Sequence, residues 1–135
     1  MSGIPGKCFI IIRLWRAIGL RLRRMYYLLL LGRMGRGTSI TSNVFIDHPY
    51  NVFIDEDVVV NQFALIQAGP ESTVTIGSGT HISFRATILT ASLELSKGHV
   101  SEAHNSRSVV IEDNVWIAVG ATICPGVKLG RTSVI

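Results

Sequence analysis

Charge is scarce in this chain, and so is cysteine. Only 16% of its 135 residues are charged against 47% hydrophobic, a balance that excludes a disordered or solvating polypeptide and leaves enough apolar material for one well-packed domain. Two cysteines, Cys8 and Cys124, stand in dissimilar segments with no metal-ligand or redox spacing around either. That excludes a disulfide framework and a cysteine-based metal site, and it suits a reducing compartment.

Acid is missing altogether from the first 36 residues. Lys7, Arg13, Arg16, Arg21, Arg23, Arg24, Arg33 and Arg36 all fall there, whereas the rest of the chain carries more acid than base, so the formal net charge of +4 is a basic arm joined to an acidic body. An anionic surface is the partner that such an arm implies. Between Phe9 and Leu31, Ile11, Leu14, Trp15, Ile18, Leu22, Met25 and Leu29 follow three- and four-residue steps, and Arg13, Arg16, Arg23 and Arg24 fall on the other side of the wheel. The spacing predicts an amphipathic helix. No apolar run reaches the roughly 20 residues of a bilayer crossing, because arginines interrupt each one. The same arginines, and the want of a small-residue cleavage site, argue against a secretory signal. Nucleic acid has no recognition motif here. Two readings of the helix remain: its apolar face packs on the body or a neighbouring subunit, or it lies in a membrane interface over residues 9–31. Gly32–Gly37 reads as the hinge, giving an arm at 1–37 and a body at 38–135.

In the body, aliphatic residues recur every six positions: Ile111, Ile117, Ile123, Leu129 and Ile135, and earlier Ile40 and Ile46, then Ile54, Val60 and Ile66, then Ile76, Ile82 and Ile88. Neither a helix nor a flat strand uses that period. Small or β-branched residues follow four positions later, as at Val58, Ala64, Thr80, Ala86, Val115 and Ala121. Short strands and tight corners need that alternation, which predicts a triangular parallel β-helix. The count breaks at His48–Asn51, at Gly69–Ser72, and between Leu89 and Val110, where a long loop is expected to be functional or mobile.

The run from Val109 to Gly130, with Trp116-Ile117-Ala118 and Pro125-Gly126-Val127, resembles the signature of the hexapeptide-repeat O-acyltransferases, in particular maltose- and galactoside-acetyltransferase-like enzymes that modify polysaccharide sugars. The resemblance implies an all-β, left-handed parallel β-helix over about residues 38–135, a homotrimer with sites between subunits, acetyl-CoA as acyl donor, no metal, and a sugar or lipid-linked saccharide as acceptor. It implies a cytoplasmic protein, peripheral at the inner face of the membrane if the helix binds there. Trp116, Ala118 and Val119 would line the pantetheine groove, and Arg85, where several relatives place an asparagine, would bind an anionic sugar or coenzyme phosphate.

The chain departs from that pattern twice. Acyl transfer to a hydroxyl calls for a general base, and the resemblance puts a histidine where this chain has Leu93, after Thr90-Ala91-Ser92. His104 and His99 in the long loop are the remaining candidates, with His48 and His81 read as surface residues. The chain also stops at Ile135, before the further coil and lysine-containing loop of the family, so a fragment or weakened coenzyme binding is expected. An impaired trimeric scaffold is the competing reading.

Overall fold

The structure, a computed structural model, describes residues 6–96 and 99–135, with side chains described at 10–93 and 105–135. Helix α1 (Gly6–Leu30) leads into a coil of three parallel sheets. The first face stacks β1 (Arg33–Met34), β4 (Val52–Ile54), β7 (Val74–Ile76), β12 (Val109–Ile111) and β15 (Lys128–Leu129). The second stacks β2 (Ser39–Ile40), β5 (Val59–Val60), β8 (His81–Ile82) and β13 (Trp116–Ile117). The third stacks β3 (Phe45–Asp47), β6 (Leu65–Gln67), β9 (Thr87–Leu89) and β14 (Thr122–Ile123).

The six-residue period is the reason for this shape. Each hexad supplies one short strand and one corner, so its aliphatic residue meets its counterpart one coil on: Ile54, Ile76, Ile111 and Leu129 are in register on the first face. Val60, Ile82 and Ile117 align on the second, and Ile46, Ile66, Ile88 and Ile123 on the third. Ile54, Ile66, Ile76, Ile82, Ile88, Ile111 and Ile117 are fully buried, each contributing about 1.5–3 kcal/mol of transfer free energy. Ile135, assigned to the interior by the period, is instead 44% exposed.

Corners repeat as well. Gly37, Asp57, Gly79, Asn114 and Thr132 take positive φ at the corner between the first and second faces, and Asn43, Phe63, Arg85 and Gly120 do so between the second and third. Inside the first of these corners, Thr38 and Thr80 are buried. Their hydroxyls are satisfied by donating to Asp55 O and Glu112 O and by accepting from the Val58 and Val115 amides, as buried polar groups must be. The stretch read as a hinge holds a strand, β1, paired with β4. The helix covers the first coil: Tyr27 and Leu31 are buried against the core, and Tyr27 Oη donates to Val44 O at 3.3 Å.

Between Leu89 and Val110 the loop expectation is corrected. The segment is an antiparallel hairpin, β10 (Ala91–Ser96) and β11 (His99–Ser106). Its alternation Leu93-Glu94-Leu95 has the strand period of two, which its serine and glutamate content obscures.

Candidate active site

The hairpin leaves the coil at the corner between the third and first faces, and a buried polar cluster holds its root. The Gly69 amide donates to Thr90 Oγ1 at 2.8 Å and to Ser72 Oγ at 3.0 Å, Ser72 Oγ bonds Thr90 Oγ1 at 2.7 Å, and Ser106 Oγ bonds Ser72 Oγ at 2.7 Å. Gly69 has no room for a side chain, since a Cβ there would stand 2.6 Å from Ser106 Oγ. From the other side, Pro125 and Gly126 form a turn in which Gly126 adopts φ 81° and the Val127 amide returns to Cys124 O. Proline followed by a residue of positive φ is the requirement of a type II turn. The Gly126 amide donates to Arg107 O, and the Arg107 side chain packs over that glycine. The Pro-Gly-Val element thus braces the second strand of the hairpin.

Register sets what the hairpin carries. Ala91 pairs with Ser106, Ser92 with Asn105, Leu93 with His104, and Ser96 with His99. Directly opposed residues of an antiparallel pair share one face of the ribbon, so position 104 lies on the same face as position 93, near the root. Leu93 itself is 54% exposed. Position 99 lies at the tip, about 20 Å of extended strand from the root. The side chains of His99 and His104 lie outside the described residues.

At the foot of the hairpin a cavity of about 350 Å³ is lined by Asp47, His48, Gln67, Glu71, Ala91 and Ser106 among others. His48 starts the 3₁₀ turn Pro49–Asn51 in the left-handed region, φ 47°. Its Nδ1 is buried and lies 3.0 Å from Asp47 Oδ1, with no hydrogen bond of its own among the described residues, while the same carboxylate oxygen accepts the His48 amide. His48, read from the sequence as a surface residue, instead stands beside Asp47 in the wall of this cavity. The adjacency of the two residues at a break in the six-residue count was the available signal.

The remaining predicted residues gather elsewhere. Trp116 is outward on β13, 52% exposed, beside His81 on β8, and its Nε1 donates to Ser83 Oγ at 3.0 Å. A cavity of about 500 Å³ opens over Asn61, His81, Ser83, Asn114 and Trp116. Ala118 and Val119 follow at the corner, with Val119 69% exposed. Arg85 stands one coil below at that same corner, where the Gly120 amide donates to Phe84 O. The structure therefore brings Trp116, Ala118, Val119 and Arg85 together and places the hairpin at the opposite end of the third face. Six residues of nearly extended chain, about 20 Å, separate Arg85 from Ala91. Among the described residues no group of three His, Cys, Asp or Glu could hold a metal ion.

No family model matches the chain. It is 32% identical over 104 residues to a putative acetyltransferase of Saccharomyces cerevisiae, covering 72% of this chain and 52% of that protein. To a galactoside O-acetyltransferase of Lactococcus lactis it is 29% identical, covering 75% of this chain and 42% of the relative. The chain thus spans about half the length of these relatives. Among solved structures, a hexapeptide-repeat acetyltransferase of Vibrio cholerae in complex with acetyl coenzyme A superimposes with a TM-score of 0.77 at 23% identity, over 84% of this chain and 62% of that one. A maltose O-acetyltransferase of Clostridium difficile gives 0.61 at 22% identity, over 84% and 63%. The six-residue period and the three-faced parallel coil give this chain the fold of the hexapeptide-repeat acetyltransferases, and its sequence relatives are named as acetyltransferases.

Proposed function

We propose that the protein transfers an acetyl group from acetyl-CoA to a sugar hydroxyl, the acceptor being a lipid-linked or surface-polysaccharide saccharide met at the inner face of the cytoplasmic membrane. The observation that carries the reading is the pairing of Leu93 with His104: the strand opposite the position where the family is expected to hold its base supplies a histidine on the same face of the ribbon. His104 takes the proton of the acceptor hydroxyl as its oxygen attacks the thioester carbonyl. Collapse of the tetrahedral intermediate forms the ester and breaks the carbon–sulfur bond, and the protonated imidazole returns the proton to the departing coenzyme A thiolate. An unperturbed histidine pKa near 6.5 suits both halves of that exchange. His99, at the hairpin tip, is the lesser candidate.

The donor runs along Trp116, Ala118 and Val119, with Arg85 toward its phosphates or an anionic sugar. The cavity at the hairpin foot, with Asp47, Gln67 and the His48 ring, offers the polar groups that a hydroxyl-rich acceptor needs. Because Arg85 and Val119 sit at one corner and the hairpin at another, a complete site takes the corner of one chain and the hairpin of its neighbour, which supports a homotrimer with sites at subunit boundaries. Leu93 favours a second reading, a trimeric scaffold without turnover. Release of coenzyme A thiol with a panel of maltosides and galactosides separates the two: sugar-dependent release is expected, and a protein that neither binds nor consumes acetyl-CoA is the scaffold.

A further inference from the structure

Helix α1 turns its basic side to the coil and its apolar side to solvent. Tyr27 is buried and the Arg24 guanidinium donates to Thr38 O at 2.7 Å, which fixes the inward side of the wheel. Ile11, Leu14, Ile18, Leu22, Met25 and Leu29 fall on the opposite side, all exposed, from 46% at Ile18 to 86% at Leu29. The stripe runs for about 27 Å along the helix axis, and soluble monomers seldom leave an apolar strip of that size uncovered.

Charge decides what covers it. Lys7, Arg13, Arg16, Arg21, Arg23 and Arg24 lie in α1 and no acid does, so the partner is apolar and anionic at once. A second copy of the stripe would cover it but leave Arg16 and Arg23, on the flank of the helix, without an anionic partner. An anionic bilayer interface meets both demands. Among the described residues no helix is long and apolar enough to cross a membrane, so α1 lies in the plane of that interface.

One flank of the helix adds a specific feature. A cavity of about 540 Å³ between α1 and the coil is lined by Ile12, Trp15, Arg16, Arg23, Ser42 and Gln62, among others. Neither arginine has a hydrogen bond or ion pair among the described residues, and no acid lines the cavity. Guanidinium forks match phosphate oxygens. Trp15, 73% exposed, stands between the stripe and this cleft, where an indole ring suits the headgroup level.

We propose that α1 is a lipid-binding element, its outward stripe seated in an anionic bilayer interface and the Arg16–Arg23 cleft holding a lipid phosphate. The proposal deepens the location given to the enzyme above and depends on nothing else in that reading. The test is co-sedimentation of the full chain with vesicles of phosphatidylcholine, alone or mixed with phosphatidylglycerol. Binding to the anionic mixture, weakened by salt, is expected. Arg16→Gln with Arg23→Gln should weaken it by about fivefold per arginine, and Leu22→Ser with Met25→Ser should weaken it toward both vesicle types, with an unchanged thermal melt. Failure to bind the anionic mixture at low salt overturns the proposal, as does a change of assembly mass in the Leu22/Met25 variant, which would make the stripe a subunit contact. Vesicle binding by a protein without acetyl transfer leaves this proposal standing and removes the enzyme reading alone.

Discussion

Leucine at position 93 is the residue on which the chemistry turns. It is half exposed on the first strand of the hairpin, and its cross-strand partner is His104, so one ribbon face can supply a base without a histidine in the usual place. If His104 is the base as proposed, Leu93→His adds a second imidazole beside it, and turnover should stay within about threefold of the native rate rather than rise by the 10²- to 10⁴-fold of a base gained. A rise of that larger size in initial-rate assays would mean that the native chain has no competent base. Tyr27 gives a pH prediction. Burial, joined by the neighbouring Tyr26 hydroxyl and opposed by Arg23, raises its phenol above 10.0. A raised folded value means that the neutral form is favoured in the fold, so this contribution is complete below about pH 10 and is lost as pH climbs through the folded value. Thermal melts through that alkaline range should show a fall in stability that Tyr27→Phe reduces.

At the scale of elements, the hairpin and the helix were the parts least legible in the sequence. The strands of the coil repeat a local rule, a buried aliphatic and a corner four residues on, and every interior position from Ile54 to Leu129 named by that rule is buried or nearly so. The hairpin is inserted once and repeats nothing, so only the pairing of its two strands reveals it. For the helix, the wheel separates two faces but does not say which one the body takes. The first coil takes the side that carries Tyr27 and Arg24, whose hydroxyl and guanidinium donate to the Val44, Thr38 and Gly35 carbonyls. The Asp47–His48 pair stayed hidden because a turn residue shows its environment only in the fold. The hairpin root gives the test at this scale. Thr90→Val keeps the shape and removes the acceptor of the Gly69 amide and the partner of Ser72, leaving a buried donor unpaired at a cost of about 1–3 kcal/mol. Urea unfolding should show that loss, and a change below about 0.5 kcal/mol would mean that the cluster does not secure the hairpin.

For the whole molecule, stacking and assembly act together. Ile117 is fully buried between coils, and Ile117→Asp places an unpaired charge there at a cost of several kcal/mol, set against a total stability of about 5–15 kcal/mol. The variant should be unfolded by circular dichroism, and a folded, soluble form would contradict the interior assignment. The proposed trimer would join the hairpin corner of one chain to the corner of its neighbour that carries Trp116, Ala118, Val119 and Arg85, and it predicts that sedimentation gives three times the chain mass. The measurement that bears most directly on the account is steady-state release of coenzyme A by the intact protein and its His104→Ala variant with a sugar acceptor. The account predicts a fall of about 10²- to 10⁴-fold in turnover with acetyl-CoA binding retained, the usual size of a lost general base, while His99→Ala changes little. A His104→Ala protein that turns over at the native rate would contradict it.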